Sequence, residues 1–144
     1  MTAQILTPAI VLVLWSIVVL LWMAGTRLPA LAKSGVTLDK APPGGRGQDL
    51  EAVLPPKVMW KSHNYAHLME QPTMFYAVVA FLALLGPNAI DVTLAWVYVG
   101  LRILHSLWQA TINTIPVRFT LFVLGSTVLG ALAVRALMIA QAAA

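Results

Sequence analysis

Apolar residues run almost unbroken from Ile5 to Ala24, and three further blocks of the same character follow before the chain ends. Each is too long and too uniformly apolar to be one face of a soluble helix. A bilayer core about 30 Å thick takes roughly 20 helical residues per crossing. The pattern therefore predicts four spans, over 7–28, 57–86, 91–113 and 116–140. Between the first two, 29–56 changes character: Pro42, Pro43, Gly44, Gly45, Arg46 and Gly47 run together and Pro55–Pro56 closes the stretch, which predicts a long flexible loop. Gly86, Pro87 and Asn88 end the second span. Pro116 suits the first turn of the fourth, where its missing N–H costs nothing. The link 113–115 is so short that the third and fourth helices are expected to be antiparallel neighbours. The expected fold is an all-α integral membrane protein, a single four-transmembrane-helix bundle over 1–144.

Composition sharpens this picture. The 144 residues are 60% hydrophobic and 10% charged, with a mean hydropathy of +0.84, which excludes an ordinary soluble domain. The first apolar run lacks a basic leader and is about twice the usual length of a signal-peptide core, so it is expected to remain as a helix. The net charge of +4 is better read as topology than as attraction to nucleic acid, and no nucleic-acid partner is expected. Arg27, Lys33, Lys40, Arg46, Lys57 and Lys61 lie in or beside the first connection, whereas 86–91 holds no basic residue. The positive-inside rule then places 29–56 in the cytoplasm and both termini outside, as in a bacterial inner membrane. The chain has no cysteine, which excludes disulfides, thiolate metal sites and cysteine nucleophiles.

The candidate chemistry is carried by polar residues inside the spans. His63, His67, Glu70 and Met74 follow i, i+4, i+7, i+11 and are predicted to share one face of the second span. Arg102, His105 or Ser106, and Gln109 form a similar stripe on the third. Glu70 and Arg102 reach comparable depth, and each alone would cost roughly 2.5–3.5 kcal/mol to insert, so a pair between them, structural or ligand-binding, is expected. His63 and His67 have zinc-ligand spacing but no convincing third ligand, and no metal site is expected. Arg135 reads as an interfacial anchor. Arg27 and Arg118, taken singly, read the same way. Taken with Glu70 and Arg102, they come from four helices and gather toward one leaflet, which describes a pocket for an anionic ligand.

These elements resemble a known family. Glu70-x-Pro72-x-x-Phe75-Tyr76, Arg102-x-x-His105 and Pro116-x-Arg118, in a four-span layout, are similar to the MAPEG family, the membrane-associated proteins in eicosanoid and glutathione metabolism. The resemblance implies a homotrimer with glutathione held between subunits near the cytoplasmic side. It further implies that Arg118 stabilises the glutathione thiolate, and that Arg27, His67, Glu70, Arg102 and His105 bind the tripeptide or support its site. His67 stands where an asparagine is usual, Ala66 where an arginine is common, and Gln109 where some members have tyrosine. The activity so implied is a glutathione-dependent transferase or peroxidase acting on small hydrophobic electrophiles delivered from membrane lipid. The alternative is a non-catalytic lipid-binding or scaffold protein of the same fold.

Overall fold

The computed structural model describes residues 1–37, 39 and 41–143. It is built of four long helices, α1 (Thr2–Ser34), α2 (Pro56–Leu85), α3 (Ala89–Thr111) and α4 (Ile115–Ala142), with one short 3-10 helix at Gly47–Ala52 before α2. All four long helices are long and apolar enough to cross a membrane. Lys40, counted above among the basic residues of the first connection, lies outside the described residues.

Local chemistry accounts for where the helices stop. Gly35 ends α1 with φ 73°, a left-handed conformation that glycine takes without Cβ strain. Gly86 ends α2 in the same region at φ 90°, its N–H reaching the Leu82 carbonyl at 3.1 Å. Asn88 caps α3 by accepting from the N–H groups of Ile90 and Asp91, and Asp91 returns a bond to the Asn88 N–H at 2.9 Å. Pro116 sits in the first turn of α4, and Asn113, at φ 59°, makes the tight reversal before it.

Two parts of the predicted 29–56 loop are instead ordered. The first helix passes through Pro29 and continues to Ser34, because Leu31 is buried with Leu54 and Met59 in a small satellite core. That packing holds a helical turn which proline, lacking one donor, would otherwise weaken. Residues 47–52 form the 3-10 helix, tied to α2 by His63 Nε2 and Glu51 Oε1 at 2.7 Å.

The four helices pack as a bundle in which α2 and α3 are central and α1 and α4 do not touch among the described residues. Ile5, Leu12 and Val19 line one face of α1 at seven-residue intervals. They join Leu68, Phe75, Val79 and Leu82 of α2, Tyr98 and Val99 of α3 and Leu132 of α4 in one core. The Phe75 and Tyr98 rings stack with centroids 4.3 Å apart. Large apolar side chains also cover the outside, among them Ile10, Leu21, Phe81, Leu84, Phe119 and Met138. That distribution suits lipid and would be costly in water.

Arg135 is more than an interfacial anchor. Its Nε donates to Asp91 Oδ1, and Asp91 is fully buried at the start of α3. One carboxylate thus caps a helix and pairs with α4 at the end of the bundle away from Arg118.

Candidate functional site

The polar residues of α2 and α3 are arranged differently from the predicted stripes. The buried α2 stripe is Asn64, Leu68, Gln71 and Phe75, displaced one residue, or about 100° of helix rotation, from His63, His67, Glu70 and Met74. His67 lies at its edge and turns toward α3, whereas Glu70 is exposed on the outer surface of the chain. On α3, Arg102, His105, Ser106 and Gln109 are all buried.

Arg102 does not pair with Glu70. Arg102 is 1% exposed, and its guanidinium rests on neutral acceptors: Nη2 donates to the His67 carbonyl at 3.1 Å and lies 3.0 Å from His67 Nδ1, and Nη1 reaches Gln71 Oε1 at 3.4 Å. The only ion pairs among the described residues are His63 with Glu51 and Arg135 with Asp91. The reason is rotational: with the α2 stripe shifted, Glu70 falls on the exposed side of α2 and makes no ion pair with the buried Arg102. A buried cation held by neutral dipoles leaves positive potential in the adjoining space.

That space is a pocket of about 430 Å³ between α2, α3 and α4, lined by His63, His67, His105, Gln109, Arg118 and three apolar side chains, Ile115, Phe119 and Phe122. Arg118 is anchored by one bond, Nη1 to Asn113 Oδ1 at 2.7 Å, which uses the turn before α4 as a brace. His67 and His105 stack with ring centroids 4.7 Å apart, and Phe122 packs against His67 at 5.6 Å. His105 Nδ1 and Gln109 Oε1 are buried with no partner among the described residues. One permanent cation, imidazole and amide groups, and an apolar flank together fit an anionic molecule with an apolar portion.

Arg27 is elsewhere. Its Nη2 donates to Ser62 Oγ at 2.6 Å, and it lines a separate cavity of about 290 Å³ between α1, α2 and the 3-10 helix, with Gly47, Gln48 and His63. Only His63 belongs to both spaces. Within one chain, then, His67, His105 and Arg118 line one pocket with Arg102 directly behind it, whereas Arg27 and Glu70 do not join them.

Sequence reading missed Gln71. Its Oε1 also accepts from Tyr98 Oη at 3.3 Å and its Nε2 donates to Ser126 Oγ at 2.6 Å, so one amide links α2, α3 and α4 beneath the pocket. A second node was equally unforeseen: Ser106 Oγ receives Asn64 Nδ2 at 2.8 Å and Trp15 Nε1 at 2.9 Å, joining α1, α2 and α3. Gln71 stands four residues after His67, a spacing that could have flagged it.

The MAPEG family model matches residues 5–138, nearly the whole chain and all four helices. The chain belongs to the MAPEG family and is a membrane protein of four helices. Neither the curated proteins nor the solved structures compared with it gave a match.

Proposed function

We propose that this protein is a glutathione-dependent transferase or peroxidase that acts on hydrophobic electrophiles drawn from the bilayer. The observation that carries the reading is the convergence of Arg118, His67, His105 and Gln109 on one pocket with an aromatic and aliphatic flank, in a chain of this family. Arg118 stabilises the glutathione thiolate by charge, so that the nucleophile exists at neutral pH. Arg102 supplies positive potential from behind His67, and Ile115, Phe119 and Phe122 offer the apolar co-substrate a surface continuous with lipid. The protein works as a homotrimer in a bacterial inner membrane, with the Arg118 end of the bundle toward the cytoplasm. Arg27, at the cavity between α1 and α2, and Glu70, on the exposed side of α2, then meet a neighbouring subunit's pocket.

A second reading, a non-catalytic lipid-binding or scaffold protein, draws support from the separation of Arg27 and Glu70 from Arg118 within the chain. Calorimetry and thiolate absorbance on purified protein in detergent separate the two. The transferase reading expects glutathione to bind as its thiolate, and Arg118→Ala to lose the thiolate signal and about tenfold or more in turnover, the effect of removing one stabilising charge. Glutathione that fails to bind, or a thiolate signal untouched by Arg118→Ala, favours the scaffold.

A further inference from the structure

Arginine can donate hydrogen bonds but has no acceptor. Arg102 Nη2 lies 3.0 Å from His67 Nδ1, so that nitrogen must present its lone pair, and the ring proton resides on Nε2. The second bond from the same Nη2, to the His67 carbonyl at 3.1 Å, fixes the backbone of the same residue, and stacking on His105 fixes the ring plane. Nε2, the ring nitrogen that Arg102 does not hold, is left for other partners, and His67 lines the pocket that Arg118 also lines. An adjacent buried charge polarises the imidazole and strengthens its N–H as a donor.

We propose that Arg102 is a positioning residue that locks His67 as a fixed Nε2–H donor, making the pocket a subsite for an acceptor-only anionic group, a carboxylate or a thiolate. His67 in this state cannot accept the proton of a thiol at Nδ1, so it binds the anion rather than generating it. The locked imidazole offers one donor only, and Glu70, the acidic group on the same helix, is exposed and does not line this pocket. An ammonium, which can only donate, gains no hydrogen bond from this nitrogen. The inference deepens the glutathione reading but depends only on an anion being bound.

The test is nitrogen NMR on histidine-labelled protein in detergent micelles. For wild type, His67 should show a pyridine-like Nδ1 and a pyrrole-like Nε2, and Arg102→Gln, whose amide can donate or accept, should lose that preference. A His67 signal with the proton on Nδ1, or one shared between both nitrogens in wild type, overturns the proposal without reference to any variant's folding. Binding is then measured with two probes, glutathione and decanoate. His67→Phe, which keeps a ring and removes the donor, should weaken whichever probe binds by about tenfold, the usual effect of losing a hydrogen bond to a charged group. Decanoate binding that is sensitive to His67→Phe, with no glutathione binding, supports the subsite and sinks the glutathione reading. Affinity for both probes unchanged in His67→Phe sinks the subsite and leaves the glutathione reading to Arg118.

Discussion

Replacing Gln71 by methionine keeps the length and volume of the side chain and removes its amide. Three bonds are lost: a short one from Nε2 to Ser126 at 2.6 Å, and two long ones into Oε1, from Tyr98 at 3.3 Å and Arg102 at 3.4 Å. Interhelical hydrogen bonds in membrane proteins average about 0.6 kcal/mol with a maximum near 1.7. The short bond belongs toward the upper end and the long ones below the mean, so their sum is about 2 kcal/mol. Ser126 keeps its own donor bond to the Phe122 carbonyl at 2.8 Å, which limits the loss on that side. Arg102 keeps both contacts to His67 but loses its other acceptor among the described residues, and affinity for the proposed ligand, glutathione, should fall with it. Unfolding in mixed detergent and dodecyl sulfate micelles, followed by tryptophan fluorescence, measures the stability change. A double-mutant cycle with Tyr98→Phe isolates the shared bond, and the two changes should be less than additive by about 0.5 kcal/mol, the lower end for side chains in contact. A loss from Gln71→Met under about 0.5 kcal/mol, less than one average bond, would refute the view that this amide holds three helices together.

Two further changes probe other parts of the chain. Asp91→Ala removes a helix cap and leaves Arg135 without its carboxylate, and it should cost about 2–4 kcal/mol in the same unfolding assay, somewhat under the fully buried limit because Arg135 retains 28% side-chain exposure. Asp91→Ala in an Arg135→Met background should cost markedly less, and equal losses in both backgrounds would deny the pair. Gly47→Ala places a Cβ 3.1 Å from both terminal nitrogens of Arg27. The flexible arginine should yield, losing Ser62, with little change in stability but a measurable rise in proteolysis across 47–52. Unchanged proteolysis would mean that Arg27 does not brace the 3-10 helix.

The spans were legible because lipid imposes the same apolar requirement on both the inside and the outside of each helix, and a run of that length has few other readings. Terminators were legible for the same local reasons: Gly86 and Asn88 carry their conformational and capping preferences in the sequence. The end of α1 was not, because Pro29 is a local signal overridden by Leu31 packing against Leu54 and Met59, residues more than twenty positions away. The site was half legible. Arg102, His105 and Gln109 were found on α3 because ionisable and amide groups stand out in an apolar helix. On α2, where polar residues occupy every side of the first turns, periodicity alone fitted two stripes one residue apart, and only the packing against α3 selects Asn64 and Gln71 over His63 and Glu70. The missing Glu70–Arg102 pair follows from that one-residue rotation.

The placement of Arg27 and Glu70 has a direct bearing on how the site is assembled. If the site is complete in one chain, these residues are bystanders, and variants at Arg27 and Arg118 cannot rescue one another. If it forms between subunits, Arg27 of one chain and Arg118 of its neighbour serve the same ligand, and each variant lacks a different half. Co-expression of Arg27→Ala and Arg118→Ala chains, with distinct affinity tags to isolate mixed copies of the proposed trimer, separates the cases. In any mixed trimer one of the three head-to-tail sites, about a third, would pair an intact Arg27 with an intact Arg118, as contacts in a closed ring require. Glutathione binding near that fraction of wild type, from two variants that bind poorly alone, supports a shared site. Mixed trimers no better than the average of the two homotrimers would confine the site to the His67, His105 and Arg118 pocket of a single chain. Arg27 would then be left as a structural brace for residues 47–52, which is the role its bond to Ser62 and its contact with Gly47 already describe.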